Sequence, residues 1–381
     1  MKLRHEHAIL ILSLALLVLG LGMVFSASHE LARAKFNDPF FFLRRQLVRA
    51  AVGVALLFLA SQIDYRQWRR WARVGLLGAC AMLLVVLFVS HAIRGARGWV
   101  QFMGATFQPV ELARLALVCV LASEMSRLGS KIESLRQGLL PLAVAIGAVL
   151  LLVVAQPDFG SAMALSAISL TMLYLGGARP LHLGTGALGM LLAATVLAWS
   201  KPHVRSRIFG FLSPDSNAAG GAYQSLQSVL SIGSGGPFGK GLGEGVAKYG
   251  YLPDAHTDFI FSVMGEELGF VGCLVVLGLF LMLIGRAIQV ARAHQDPFAR
   301  LLAAGIGISL FYYVAINICV ALRLFPVTGL PLPFVSYGGS ALVTHMFAMG
   351  VLRNIAREAE AAERRPTRWT VRHQHAVEAV L

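Results

Sequence analysis

The chain has 381 residues, 57% of them hydrophobic and only 14% charged, with 33 Lys and Arg against 19 Asp and Glu for a net charge of +14. A soluble domain carries about 25% charged residues, so there is too little polar surface here to coat a water-soluble globule. Disordered, collagen-like and disulfide-scaffold classes fall on the same composition. Nucleic-acid binding is disfavoured by the placement of charge, which falls in short clusters between long apolar segments, as topology determinants do.

Crossing ~30 Å of hydrocarbon takes about 20 apolar residues. Ten stretches meet that need, at 8–27, 46–63, 73–92, 108–126, 138–156, 159–177, 183–200, 258–287, 300–322 and 336–355. They predict an all-α integral membrane protein of ten transmembrane helices, with a membrane domain over 1–355 and a cytoplasmic tail over 356–381. The first span has no small-residue cleavage site and reads as retained. Trp68, Trp71, Trp99 and Trp199 suit interfacial ends. An even number of spans puts both termini on one side, and the larger share of Lys and Arg makes that side the cytoplasm. The connection at 201–257, between the seventh and eighth spans, is then extracytoplasmic and far longer than its neighbours, which marks it as functional or disordered. Cys80, Cys119, Cys273 and Cys319 stand singly in apolar runs and read as small buried residues. No internal repeat is evident, so the inverted-repeat pattern of many transporters is absent.

Ionisable groups inside spans are costly and are functional candidates by default. Glu111 and Arg114 lie one turn apart on one helix face, either as a self-neutralising structural pair or as the lining of a substrate cavity. In Gln156-Pro157-Asp158-Phe159-Gly160, Asp158 is placed to cap the next helix, which is compatible with facing a cavity. The GxGxxG match at 184–189 follows no strand and reads as helix packing by small residues. In the long loop, Arg205, Arg207, Lys240 and Lys248 are either solvated charge or cations for a diphosphate. The glycines from Gly233 to Gly245 would let backbone N–H groups approach an anion. The P-loop-like run at 234–241 fails, with Ser234 and Gly241 at two required positions. At Tyr251 to Phe261, His256, Thr257 and Asp258 stand where the loop re-enters the membrane. Asp258 is either the N-cap of the eighth span or a partly desolvated carboxylate suited to general-base work. Glu266 and Glu267 follow inside an apolar run.

Several segments together resemble the SEDS family (shape, elongation, division and sporulation), nearer its cell-division branch than its rod-elongation branch. They are Gln108-Pro109-Val110-Glu111, the 156–160 run, 205–214, Tyr223-Gln224 through Gln227-Ser228, 233–243, 251–272 and FPVTGLPLPFVSYGGS at 325–340. The resemblance covers essentially all ten spans. It implies a peptidoglycan polymerase of the bacterial inner membrane, acting on lipid II at the outer face. Its implied partners are a class B penicillin-binding protein, the FtsI-type transpeptidase, and other divisome proteins. Asp258 would be the catalytic base for a sugar 4-hydroxyl, with inversion and release of undecaprenyl diphosphate. Arg45, Arg205, Arg207, Lys240 and Lys248 would balance leaving-group charge. Arg97, Glu111, Arg114, Asp158, Gln227, Ser228, His256, Thr257 and Ser336 would contact substrate. No cofactor is required, although a magnesium or manganese ion is compatible; no ligand cluster identifies one. Three positions depart from the family pattern: Arg114 for Lys, Gly98 before Trp99, and Ala341 at the end of the last motif. A lipid II transporter and a rod-elongation polymerase are the competing readings.

Overall fold

The computed structural model describes residues 4–89, 98–102, 105–200, 211 and 221–364. Eleven α-helices are present among them: α1 (His5–Phe36), α2 (Phe41–Gln62), α3 (Tyr65–Val89), α4 (Pro109–Leu128), α5 (Leu140–Ala155), α6 (Phe159–Leu175), α7 (Pro180–Ser200), α8 (Gly221–Ser234), α9 (Ile260–Ala293), α10 (Pro297–Ala321) and α11 (Gly339–Arg364). Ten of them fall on the ten predicted spans. The eleventh, α8, lies in the long connection, and a short antiparallel hairpin, β1 (Val100–Phe102) with β2 (Ala105–Phe107), precedes α4. The last span begins three residues later than expected, because 325–338 is irregular backbone, and its helix runs past 355 to Arg364. The rest of the expected tail lies outside the described residues.

The protein is an all-α multi-pass membrane protein. Five helical stretches are individually long and apolar enough to cross a bilayer: α1, α3, Leu135–Ala155, α9 and α10. Large apolar side chains such as Phe88, Leu151 and Leu181 are exposed on the outer surface, as expected where lipid replaces water. Helix starts follow local chemistry. Asp158 caps α6, accepting from the Ser161 N–H at 3.0 Å and its hydroxyl at 2.8 Å. Asp296 caps α10 through the Phe298 N–H at 3.1 Å, with Pro297 in the first turn, where its missing N–H costs nothing.

Both described chain ends lie at one end of the bundle. The His5 N–H donates to Glu360 at 2.7 Å, joining the start of α1 to the end of α11. Beside them Asn354 of α11 clasps the α2–α3 corner, accepting from the Tyr65 N–H at 3.0 Å and donating to the Ser61 carbonyl at 3.1 Å. The 184–189 glycines lie within α7, and a Cβ on any of the three would meet no described atom within 4 Å. Among the described residues they make none of the packing contacts that the sequence pattern implied.

Helices α2 and α11 run against each other at close range. At Gly350 a Cβ would collide with the Leu57 carbonyl and come 2.8 Å from Ala60, and at Gly53 it would come 3.1 Å from Met346. Small residues allow this approach, which in lipid supplies the packing that water would otherwise drive. Gly350→Leu should force the helices apart and destabilise the protein by about 1–3 kcal/mol. The check is a lower thermal midpoint for the variant purified in detergent; an unchanged midpoint contradicts the packing.

Candidate active site

At the end of the bundle opposite the termini, five segments meet: the 254–259 turn, the irregular 325–338 stretch and the first turns of α2, α4 and α6. Asp254 adopts φ +58°, and its carbonyl gathers the N–H groups of Thr257, Asp258 and Phe259 at 3.0, 3.2 and 3.4 Å. The Thr257 hydroxyl adds a fourth bond at 3.2 Å. Phe259, not Asp258, is the N-cap of α9, and it caps with no side chain. The capping alternative for Asp258 is thereby set aside. Asp258 is half-buried, and one of its carboxylate oxygens is 3.8 Å from where a Cβ on Gly329 would stand.

Asn317 of α10 holds this arrangement. Its Nδ2 donates to the Asp258 carbonyl at 2.9 Å and to the Leu330 carbonyl at 2.8 Å, fixing the 254–259 turn against the 325–338 stretch. The His256 carbonyl accepts from the Tyr337 N–H at 2.9 Å, and the His256 ring packs on Phe42 and Tyr337, with centroids 4.8 and 5.6 Å away. On the other flank, Gly160 of α6 allows the Thr328 carbonyl to approach where a side chain would block it. Gln108 donates its N–H to Ser340 at 2.8 Å and its side-chain amide to Asp158 at 3.2 Å. Gly160 and Asp258 therefore both approach Thr328–Gly329. Asp158 caps α6 and accepts from Gln108.

Other predicted residues have different roles. Glu111 and Arg114 are 1% and 2% exposed and paired at 3.0 Å. Tyr313 donates to Glu111 at 3.2 Å, while Arg114 bonds the Ser309 hydroxyl and lies 4.6 Å from the Tyr313 ring centre. Of the two readings of this pair, the structural one fits. Ser228 is buried and bonds Ser262 and the Ala321 carbonyl, each at 2.6 Å, tying α8 to α9 and α10. Ser336 is buried and closes a turn by accepting the Leu332 N–H at 2.8 Å. Gln227 is half-buried in α8, one residue from that tie.

The glycine-rich run is a plug in a broken helix and does not form an anion nest. Within α9, Gly269 takes φ 68° and ψ −170°, which interrupts the helical ladder. The Lys240 and Gly241 N–H groups donate to the freed Glu266 and Glu267 carbonyls at 3.0 and 3.1 Å. In return, Phe270 and Val271 donate to the Gly236 and Pro237 carbonyls at 2.9 and 3.0 Å. Glycine is required at 239 and 269, where positive φ coincides with backbone too close for a Cβ. Both lysines are held there as well. Lys240 meets Glu266 at 2.6 Å, and Lys248 meets Glu267 at 3.0 Å with side-chain exposures of 1% and 0%. Glu266 also accepts from the Val246 and Ala247 N–H groups, and Glu267 from Ser26 at 2.5 Å. Lys248 is thus sealed away from any headgroup, and Lys240 already has a carboxylate.

Arg49 was missed as a site residue. It is half-buried on α2, 4.7 Å from the Tyr337 ring centre and against Gly339. A charge inside an apolar span was the available clue. Arg45 lies one turn away, exposed, 4.3 Å from the Phe41 ring centre. Arg97, Arg205 and Arg207 lie outside the described residues. Among the described residues no three His, Cys, Asp or Glu side chains are grouped to hold a metal.

A family model for FtsW, RodA and SpoVE, described as cell cycle proteins, matches residues 6–361. A Geobacter metallireducens protein named as a probable peptidoglycan glycosyltransferase FtsW is 40% identical over 360 residues, covering 93% of this chain and 95% of that one. The Bacillus subtilis stage V sporulation protein E is 38% identical over 359 residues, covering 93% and 98%. Among solved structures, a chain from work on the structural coordination of polymerization and crosslinking by a peptidoglycan synthase complex superposes with a TM-score of 0.77 at 30% identity, covering 92% of this chain and 97% of that one. The Thermus thermophilus rod shape determining protein RodA superposes with a TM-score of 0.67 at 30% identity, covering 92% and 96%.

Removing one partner of a buried ion pair strands the other charge, at a cost of about 3–5 kcal/mol. Glu267→Ala should therefore lower thermal stability sharply, and adding Lys248→Met should recover most of the loss. Equal thermal midpoints for the single and double variants would show that the pair does not hold the plug.

Proposed function

This chain belongs to the FtsW/RodA/SpoVE family of cell cycle proteins, and from that membership we propose that it is a peptidoglycan glycosyltransferase whose catalytic base is Asp258. The observation that carries the assignment is the placement of this carboxylate. It is half-buried beside Gly329 at the rim of the bundle, on a turn that Asn317 ties to the 325–338 stretch.

The reaction joins two lipid II molecules. Asp258 takes the proton from the 4-hydroxyl of the acceptor sugar as that oxygen attacks the anomeric carbon of the donor. The bond to the diphosphate breaks from the opposite face, configuration inverts, and undecaprenyl diphosphate leaves with the electron pair. No covalent intermediate on the protein is needed, so rate comes from positioning, one proton transfer and stabilisation of the departing charge. Arg49 takes the last role ahead of Lys240 and Lys248, because its guanidinium borders Tyr337 and Gly339 while both lysines are committed to glutamates. Arg45 stands one turn away on the same helix.

The site faces outward if the end carrying His5 and Glu360 is cytoplasmic, as the basic residues near the termini favour. A class B penicillin-binding protein is the fitting partner, since a structural relative was solved in a peptidoglycan synthase complex. The transporter reading loses its main support. Glu266 and Glu267, the acidic groups that hinted at a polar path, are neutralised by Lys240 and Lys248.

Asp258→Asn should reduce lipid II polymerisation by about 10²–10⁴-fold with an unchanged thermal midpoint, read by gel analysis of glycan products with the partner present. Full polymer yield from this variant rejects the assignment. Arg49→Ala should cost about 10²–10³-fold, chiefly in kcat. A wild-type rate would return the leaving-group role to Arg45 and the 201–220 stretch.

A further inference from the structure

Helix α10 ends in a hydrogen-bond pattern that glycine ordinarily completes. The Leu324 N–H donates to the Cys319 carbonyl at 2.7 Å, and the Arg323 N–H to the Val320 carbonyl at 3.0 Å. This double closure puts residue 323 in the left-handed region, at φ 57°, where glycine is usual and asparagine the next choice. Helix α1 follows that rule and ends on Asn37 at φ 52°. At the end of α10 the position holds a long charged side chain, whose Cβ is crowded by the following carbonyl oxygen in that conformation.

The ordinary reasons for an arginine at a helix end do not require this position. A cation elsewhere in the last turn meets the helix dipole, and one at 322 or 324 would reach the interface without a positive φ. No carboxylate claims it either. Among the described residues Lys240, Lys248 and Arg44 pair with Glu266, Glu267 and Asp38, whereas Arg323 has no acidic partner.

Arg323 stands on the flank of the site that Arg45 and Arg49 do not serve. The 254–259 turn meets α2 through the His256 ring on Phe42, and meets α10 through the Asn317 bond to the Asp258 carbonyl. Arg45 and Arg49 belong to α2. Arg323 is six residues beyond Asn317, about 9 Å further along α10. It is also five residues before Thr328, which leads to Gly329 beside the Asp258 carboxylate. Leu322, Leu324 and Phe325 around it are exposed, so half-buried Arg323 sits where apolar surface gives way to headgroups.

Two lipid-linked diphosphates take part in the reaction, and they need separate seats. The donor's diphosphate is bonded to the carbon under attack. In the acceptor, the attacking 4-hydroxyl and the diphosphate stand at opposite ends of a disaccharide, so its diphosphate lies away from the carboxylate that its hydroxyl meets. The guanidinium fork suits such an anion. We propose that Arg323 holds the diphosphate of the acceptor lipid on the α10 side of the Asp258 turn, while the α2 side serves the donor. The inference rests on the glycosyltransferase reading for the identity of its ligand. The backbone strain at 323 is retained because the side chain binds substrate.

The test separates the two substrates in the full-length protein with its partner present. A lipid II analogue lacking the 4-hydroxyl acts only as donor. One with a methylene in place of the anomeric oxygen cannot release its diphosphate and acts only as acceptor. Arg323→Gly should raise KM for the acceptor analogue about tenfold or more, with kcat and the donor KM within twofold of wild type. The same variant should show a higher thermal midpoint, because glycine relieves the left-handed position, so lost folding cannot account for the change. Arg323→Met should raise the acceptor KM as Arg323→Gly does. A wild-type acceptor KM in either variant, or equal rises for donor and acceptor, overturns the proposal. So does a change that appears only in vesicles rich in anionic phospholipid and vanishes in phosphatidylcholine, since Arg323 then serves bulk headgroups. Binding of a fluorescent acceptor analogue keeps this outcome apart from the catalytic reading. It should persist in Asp258→Asn and weaken about tenfold when Arg323→Gly is added; unchanged binding in the double variant overturns the acceptor seat, whatever rate Asp258→Asn shows.

Discussion

Non-helical backbone inside a lipid-facing helix bundle survives only where protein groups answer its N–H and C=O atoms, because no water is there to do so. The 325–338 stretch meets that constraint with few side chains. Asn317 serves Leu330, the Ser336 hydroxyl serves the Leu332 N–H, and Gln46 reaches the Ser336 carbonyl at 3.2 Å. The Tyr337 N–H finds the His256 carbonyl. Helices close in through glycines, Gly20 of α1 on Phe334 and Gly160 of α6 on Thr328. The groups that satisfy this stretch also hold Asp258, so the geometry of the site follows from keeping the irregular backbone paired.

Buried charge follows the same logic. An unpaired ion in the interior costs several kcal/mol, and mutual attraction repays this only with good geometry and further hydrogen bonds. Glu111–Arg114 has Tyr313 and Ser309; Glu266–Lys240 and Glu267–Lys248 have backbone N–H groups and Ser26. These sets are satisfied within the protein and hold elements together: α4 to α10 in the first, the 235–250 plug to α9 and α1 in the second. Among the described residues, Arg45 and Arg49 stand instead at the rim, next to aromatic rings.

All ten spans were legible, because apolar length and the cap at Asp158 are local properties of the chain. Asp258 stood out as well, as a carboxylate at a predicted phase boundary. The partners of Lys240 and Lys248 were not. Each stands 26 or 19 residues from its glutamate, and nothing in the local pattern says that a loop folds back into a helix broken at Gly269. The same gap made a run of glycines look like an anion nest. Ser228 and Ser336 carry no local mark that separates a substrate contact from a buried tie. The α8 helix has Gly221 and polar residues in a segment whose order comes from packing on α9, and tertiary packing overrides weak propensity.

A carboxylate one or two residues before an apolar helix would ordinarily be drawn into capping, its oxygens occupied by the first backbone N–H groups. Here the Asp254 carbonyl takes the N–H groups of residues 257, 258 and 259, and buried Phe259 occupies the N-cap position. Placing Asp254 at φ +58° costs roughly 1 kcal/mol of backbone strain, a cost that persists only where surrounding structure over-determines it. Asn317 and the Tyr337–His256 bond supply that over-determination from two other elements. The consequence is a division of labour within five residues. One backbone carbonyl, that of Asp254, closes the turn ahead of the helix, while the carboxylate four residues on stands beside Gly329.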